Sequence, residues 1–96
     1  MPIKWLKKAL CNVEQAHDYI GQDNPAAAVR VVLKIQAAVA QLVESPLIGR
    51  PGRVEGTREL VVLQTPYIVI YRVKGNTVHI IRVLHSSRKY ADSTID

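Results

Sequence analysis

Two hydrophobic rhythms divide the chain. In the first half Leu6, Leu10, Val13, His17 and Ile20 recur at spacings of four and three, which places them on one side of a helix. They predict a helix from about Lys7 to Gly21, where glycine supplies a stop. Ahead of it, Ile3 and Trp5 alternate as in a strand. Asn24-Pro25 opens a second helix. Asparagine offers a capping oxygen, and proline fits the first helical position, where its missing N–H costs nothing. Ala26, Ala27 and Ala28 favour the helix. Ala28, Val31, Val32, Ile35, Val39, Leu42 and Val43 then form one apolar stripe that Ser45-Pro46 ends. A connector this short folds the two helices into an antiparallel hairpin.

The second half changes to runs rich in Val, Ile and Tyr: Glu59–Gln64, Tyr67–Val73 and Thr77–Leu84. These predict three strands. Gly75-Asn76 reads as a two-residue hairpin turn with glycine at the first central position. That turn sets Lys74 opposite Thr77, Arg72 opposite His79, Ile70 opposite Ile81 and Ile68 opposite Val83, with Pro66 near His85. Alternation gathers these on one half-polar face. Tyr67, Val69, Tyr71, Val73, Val78, Ile80, Arg82 and Leu84 make the other, more apolar face, which is expected to receive the helices. The predicted order is β-α-α-β-β-β. This is an α+β domain over residues 1–96, with the helical hairpin on one face of an antiparallel sheet.

Composition adds limits. Ninety-six residues make one domain with a thin core, and the lack of Phe leaves packing to aliphatic side chains. No apolar run is expected to reach the roughly 20 residues of a membrane span, and no secretory signal is recognised, so a cytoplasmic location is expected. Cys11 has no second cysteine to pair with and reads as a small hydrophobe in a helix. The net charge of +5 is uneven: residues 1–44 carry five basic and four acidic side chains, residues 45–96 eight and four. A basic excess in one half points to an anionic partner, nucleic acid or an acidic protein segment.

The chemistry-bearing residues lie in that basic half. The connector Gly49–Leu60 holds Arg50, Arg53 and Arg58 among three glycines and a proline. With Arg72 and His79 on the half-polar sheet face, these are the candidate partner-binding residues. His85, Arg88 and Tyr90 follow the last strand and could supply a proton shuttle, a charge stabiliser and a stacking or acid group. His17 lies on an apolar stripe and reads as a core or boundary residue. No metal-ligand spacing, phosphate-binding glycine loop or nucleophile elbow is present.

Taken together, Asn24-Pro25-Ala26-Ala27-Ala28, Pro46–Val54, Gly56–Val62, Pro66–Tyr71 and Arg82–Arg88 resemble the RelE/ParE superfamily, the toxins of type II toxin–antitoxin modules. The resemblance covers nearly the whole chain. It implies the β-α-α-β-β-β fold, no cofactor or metal, and a cognate antitoxin that wraps the toxin as a hetero-oligomer. RelE-like members cleave ribosome-bound messenger RNA without a metal; ParE-like members poison DNA gyrase and are not nucleases. The nuclease pattern places lysines on the strand matching 59–64, where this chain has Glu59 and Val61, and an arginine where it has Ile68. An apolar Ile68 cannot stabilise a charged phosphorane. The resemblance therefore leans to the ParE side. A RelE-like nuclease using His85, Arg88 and Tyr90 is the alternative, and a module retaining only antitoxin binding is a third reading.

Overall fold

The computed structural model describes residues 1–88, with Arg88 described at its backbone alone. Strand β1 (Ile3–Trp5) leads into helices α1 (Lys7–Gly21) and α2 (Pro25–Ala40), and a 3-10 turn at Gln41–Val43 extends α2. Strands β2 (Arg50–Pro51), β3 (Arg58–Val61), β4 (Tyr67–Lys74) and β5 (Thr77–His85) follow, and a 3-10 turn at Ser86–Arg88 closes the described chain. They form one five-stranded sheet in the order β1-β5-β4-β3-β2. The α+β architecture is the expected one, with two additions. β1 joins β5 in parallel, so the sheet is mixed. The arginine-rich connector contributes the edge strand β2, antiparallel to β3.

Both helix boundaries follow the sequence signals. The Asn24 side chain accepts a hydrogen bond from the Ala27 N–H at 3.0 Å, with Pro25 in the first turn. On α1 the buried side is rotated by one residue from the expected stripe. Ala9 and Ala16 are buried, whereas Leu10 is 53% exposed and Cys11 is also exposed. Small side chains let α1 lie close on the sheet, and the longer Leu10 is left outside. Pro25–Val43 is long and apolar enough to cross a membrane by length and composition, contrary to the expectation from the sequence. Here it is a core helix, with Ala28, Ile35, Ala38, Val39 and Leu42 buried and Arg30 and Lys34 along its length.

The hairpin starts in the expected register and then leaves it. Lys74 faces Thr77, Val73 faces Val78 and Arg72 faces His79. Gly75 takes φ 62° while Asn76 keeps a negative φ, the pattern of a type II′ turn. Past Tyr71 and Ile80 a β-bulge intervenes, so Ile70 faces Arg82, Ile68 faces Leu84 and Tyr67 faces His85. Ile81 is the additional residue, and beyond a bulge every side chain changes sides. Val83 therefore joins Val69, Tyr71, Val78 and Ile80 in the core beneath the helices. Leu84 instead joins Ile68, Ile70 and Ile81 on the opposite face. The expected places of Arg82, Val83 and Leu84 were thus reversed. Asn12 of α1 braces this stretch, its Oδ1 accepting the Val83 N–H at 3.1 Å.

Candidate functional site

Three places bring together residues that could act on a partner. The first is the connector. Gly49 is there for space: a side chain on it would put Cβ 2.6 Å from the Tyr71 hydroxyl oxygen and 2.9 Å from the Glu59 carbonyl. The Gly49 N–H donates to the Tyr71 hydroxyl at 2.8 Å. Arg58 donates to the carbonyls of Gly49 at 2.8 Å and Leu47 at 3.3 Å. Arg50 reaches the buried Glu59 carboxylate at 3.1 Å. Arg58 and Arg50 are therefore engaged in holding the loop against the sheet, and Arg53 is also partnered. Of the three connector arginines expected to bind a partner, Arg50 and Arg53 are exposed and Arg58 is half-buried.

Burial pushes the Tyr71 hydroxyl above the ordinary tyrosine range; the Gly49 hydrogen bond and the Arg58 charge pull it partly back. The folded protein thus holds this proton to higher pH than the unfolded chain does. The contribution to stability is full below the ordinary value of about 10 and is lost as pH rises through the raised folded value. Tyr71→Phe should remove that alkaline loss. It should also cost about 1–3 kcal/mol at neutral pH, because the Gly49 N–H loses its buried acceptor. Urea midpoints taken from about pH 8 to 11 check both effects; parallel curves for the two proteins would refute the assignment.

The second place is the end of β5. His85 sits edge-on to Tyr67 with ring centroids 5.5 Å apart. The Ser87 N–H donates to His85 Nδ1 at 3.2 Å, and the Ser87 hydroxyl lies 2.7 Å from the same nitrogen. With Nδ1 accepting, the neutral ring carries its proton on Nε2. Adjacency along the chain did not reveal that Ser87 orients this ring. Arg88 ends the adjoining turn, and Tyr90 lies outside the described residues. His17 is on the surface rather than in the core, its side chain 47% exposed and 3.3 Å from Asp18. Among the described residues no three His, Cys, Asp or Glu side chains group as metal ligands.

The third place is a groove of about 540 Å³ between α2 and β3. Lys34, Ala37 and Gln41 line one wall, and Ile48, Val61 and Leu63 are among the residues opposite. Ile48, Val61 and Leu63 are 48%, 45% and 78% exposed. The Val62 N–H donates to the Tyr67 carbonyl, so alternation turns the Val61 N–H and C=O away from β4. β2 pairs only with Arg58 and Glu59, and it stops short of Val61. Among the described residues no strand pairs with this Val61 rung, which borders an exposed apolar groove. Periodicity alone did not reveal it, because Glu59–Gln64 reads the same for an edge strand as for a central one.

The far face of the sheet bears the positions on which nuclease chemistry would depend. Glu59 is 5% exposed and ion-paired, and Ile68 is 5% exposed in an aliphatic cluster. Arg72 and His79 lie side by side on that face, toward the hairpin turn.

The family model for the ParE toxin of the type II toxin–antitoxin system parDE matches residues 3–90. "Putative toxin Y4kP" of Sinorhizobium fredii is 43% identical over 88 residues, spanning 92% of this chain and 91% of that protein. Toxin RelE2 of Caulobacter vibrioides is 40% identical over 86 residues, spanning 90% of this chain and 96% of its own length. The solved structure of a chromosomal ParDE toxin–antitoxin system from P. aeruginosa superposes with a TM-score of 0.84 at 30% identity, covering 88% of this chain and 95% of that one. The fold is shared with that solved structure, and the chain belongs to the RelE/ParE superfamily of type II toxin–antitoxin toxins.

Proposed function

We propose that this toxin acts by binding rather than by cutting, as a ParE-type poison of DNA gyrase in the cytoplasm, and that an antitoxin neutralises it. One observation carries the reading. Where a message-cleaving relative needs cations around a phosphate, this chain has Glu59 neutralised by Arg50, exposed Val61 and buried Ile68. A pentavalent phosphate placed there would meet a carboxylate and aliphatic carbon, which offer it no stabilisation.

The α2–β3 groove suits the antitoxin. A solved relative comes from a toxin–antitoxin system, and an extended segment could add to β3 at the Val61 rung while its apolar side chains enter the groove. Lys34 on the groove wall favours an acidic residue in that segment.

The second reading, a ribosome-dependent nuclease, draws on the His85 ring with its proton at Nε2 and on the resemblance to a toxin named RelE2. Inducing the toxin without antitoxin separates the two. The expected result is broken or relaxed plasmid DNA with intact ribosome-bound messages. If His85 were a general acid or base, a His85→Ala/Arg88→Ala variant would lose about 10²–10⁴-fold of cleavage. Robust message cutting that this variant loses would overturn the binding reading.

A further inference from the structure

The sheet face away from the helices ends, near the hairpin turn, in cations brought together from three strands. Ile3 and Trp5 pack into the core beneath the helices, so Lys4 between them points to the other face. Tyr71, Val73, Val78 and Ile80 do the same, which turns Arg72 and His79 to that other face. The register places Lys4 beside His79 and His79 beside Arg72. Lys74, two residues beyond Arg72, extends the set opposite Thr77. Lys4 and Lys74 are exposed, and Arg72 and His79 are partly exposed. Among the described residues none of the four has a carboxylate within ion-pair distance.

We infer that this row is a contact site for the phosphodiester backbone of a nucleic acid. Neighbouring strands lie about 4.8 Å apart, so the β1–β5–β4 row spans about 10 Å. A duplex presents one charge per about 1.7 Å of axis, so several fall within reach. Arg72 adds a planar fork suited to phosphate oxygens. The surroundings favour nucleic acid over an acidic protein segment. Lys74, Asn76 and Thr77 supply donors and no apolar anchor, and a protein partner needs a desolvated apolar centre. Interfaces with nucleic acid are polar and strongly positive. The apolar groove lies elsewhere, between α2 and β3, so the antitoxin site and the backbone site are different surfaces.

Fluorescence anisotropy with a labelled duplex, DNA in one arm and RNA in the other, tests the assignment. The free toxin is titrated from about 50 to 200 mM salt. With about three phosphate contacts, log affinity should fall with log salt at a slope near −2.7, about a 40-fold loss across that range. The K4Q/R72Q/K74Q variant should lose most of that slope. K7Q/K8Q/R30Q, with the same net charge but altered on the helices, should keep it. Thermal unfolding of both variants confirms that they are folded. Loss confined to the sheet variant supports the site, and the arm that binds identifies DNA or RNA as the source of the phosphates. No salt-dependent binding in either arm, or equal loss in both variants, overturns it.

Discussion

Val61→Glu combined with Leu63→Glu is expected to weaken antitoxin affinity by roughly 100-fold or more, the equivalent of about 2.8 kcal/mol. Both side chains are exposed in the free toxin, at 45% and 78%, so the fold has little to lose. On the proposed docking, the interface loses two exposed apolar contacts beside the β3 edge and gains two carboxylates that would face an acidic segment. Val61→Pro isolates the backbone component. It deletes the outward N–H while leaving the β3–β4 hydrogen bonds, since proline is tolerated on a strand edge. About 10-fold weaker binding is expected from one lost rung. Titration calorimetry with the purified antitoxin, beside thermal melts of the free variants, reads both effects. Unchanged affinity in folded variants would place the antitoxin on another surface without disturbing the family assignment.

Gly49→Ala is the substitution expected to damage the fold most. The new Cβ would sit 2.6 Å from the Tyr71 hydroxyl oxygen, 2.7 Å from its ring and 2.9 Å from the Glu59 carbonyl. Tyr71 is fully buried and cannot swing aside, and the carbonyl belongs to strand β3. Overpacking costs about 1–3 kcal/mol, and moving the loop sacrifices the 2.8 Å hydrogen bond to Tyr71 as well. A loss of about 3 kcal/mol is expected, which for a domain of this size lowers Tm by about 15 °C. Gly56→Ala is the comparison. Gly56 has a positive φ of 83° but open space around it, so strain of about 1–2 kcal/mol is the whole effect. Equal melting temperatures for the two variants would contradict the packing account.

The helices and strands were legible in the sequence because each carries its own punctuation: Gly21, Asn24-Pro25, Ser45-Pro46 and Gly75-Asn76. The register was legible only as far as Ile80. Nothing local marks Ile81 as a bulge, because Val, Ile and Leu satisfy either face of a sheet covered on both sides. The Asn12 contact that braces the bulge crosses 71 residues of chain. The rotation of α1 was hidden for a similar reason, since alanine scores weakly in any apolar count yet decides how closely a helix can approach. The candidate sites were legible as residue types rather than roles. Arg58 reads in the sequence as a partner contact; the fold adds a loop-bracing role, because one guanidinium nitrogen donates to two carbonyls. Arg72 and His79 were recognisable as neighbours. Lys4 was not, because its parallel strand is brought in from the other end of the chain.

The open rung at Val61 also bears on what happens to a newly made toxin molecule. Natural edge strands are commonly guarded by a lysine, a proline or a bulge against pairing with the wrong chain. Among the described residues, Val61 and Leu63 are exposed on a stretch of this edge that β2 does not cover. Two toxin molecules meeting edge to edge would satisfy the same backbone groups that an antitoxin would. An antitoxin seated there would then act as a chaperone as well as an inhibitor, keeping the sheet monomeric from synthesis onward. Proteolysis of that antitoxin would begin a race between target capture and self-association, and the dose of active poison would depend on how dilute the released toxin is.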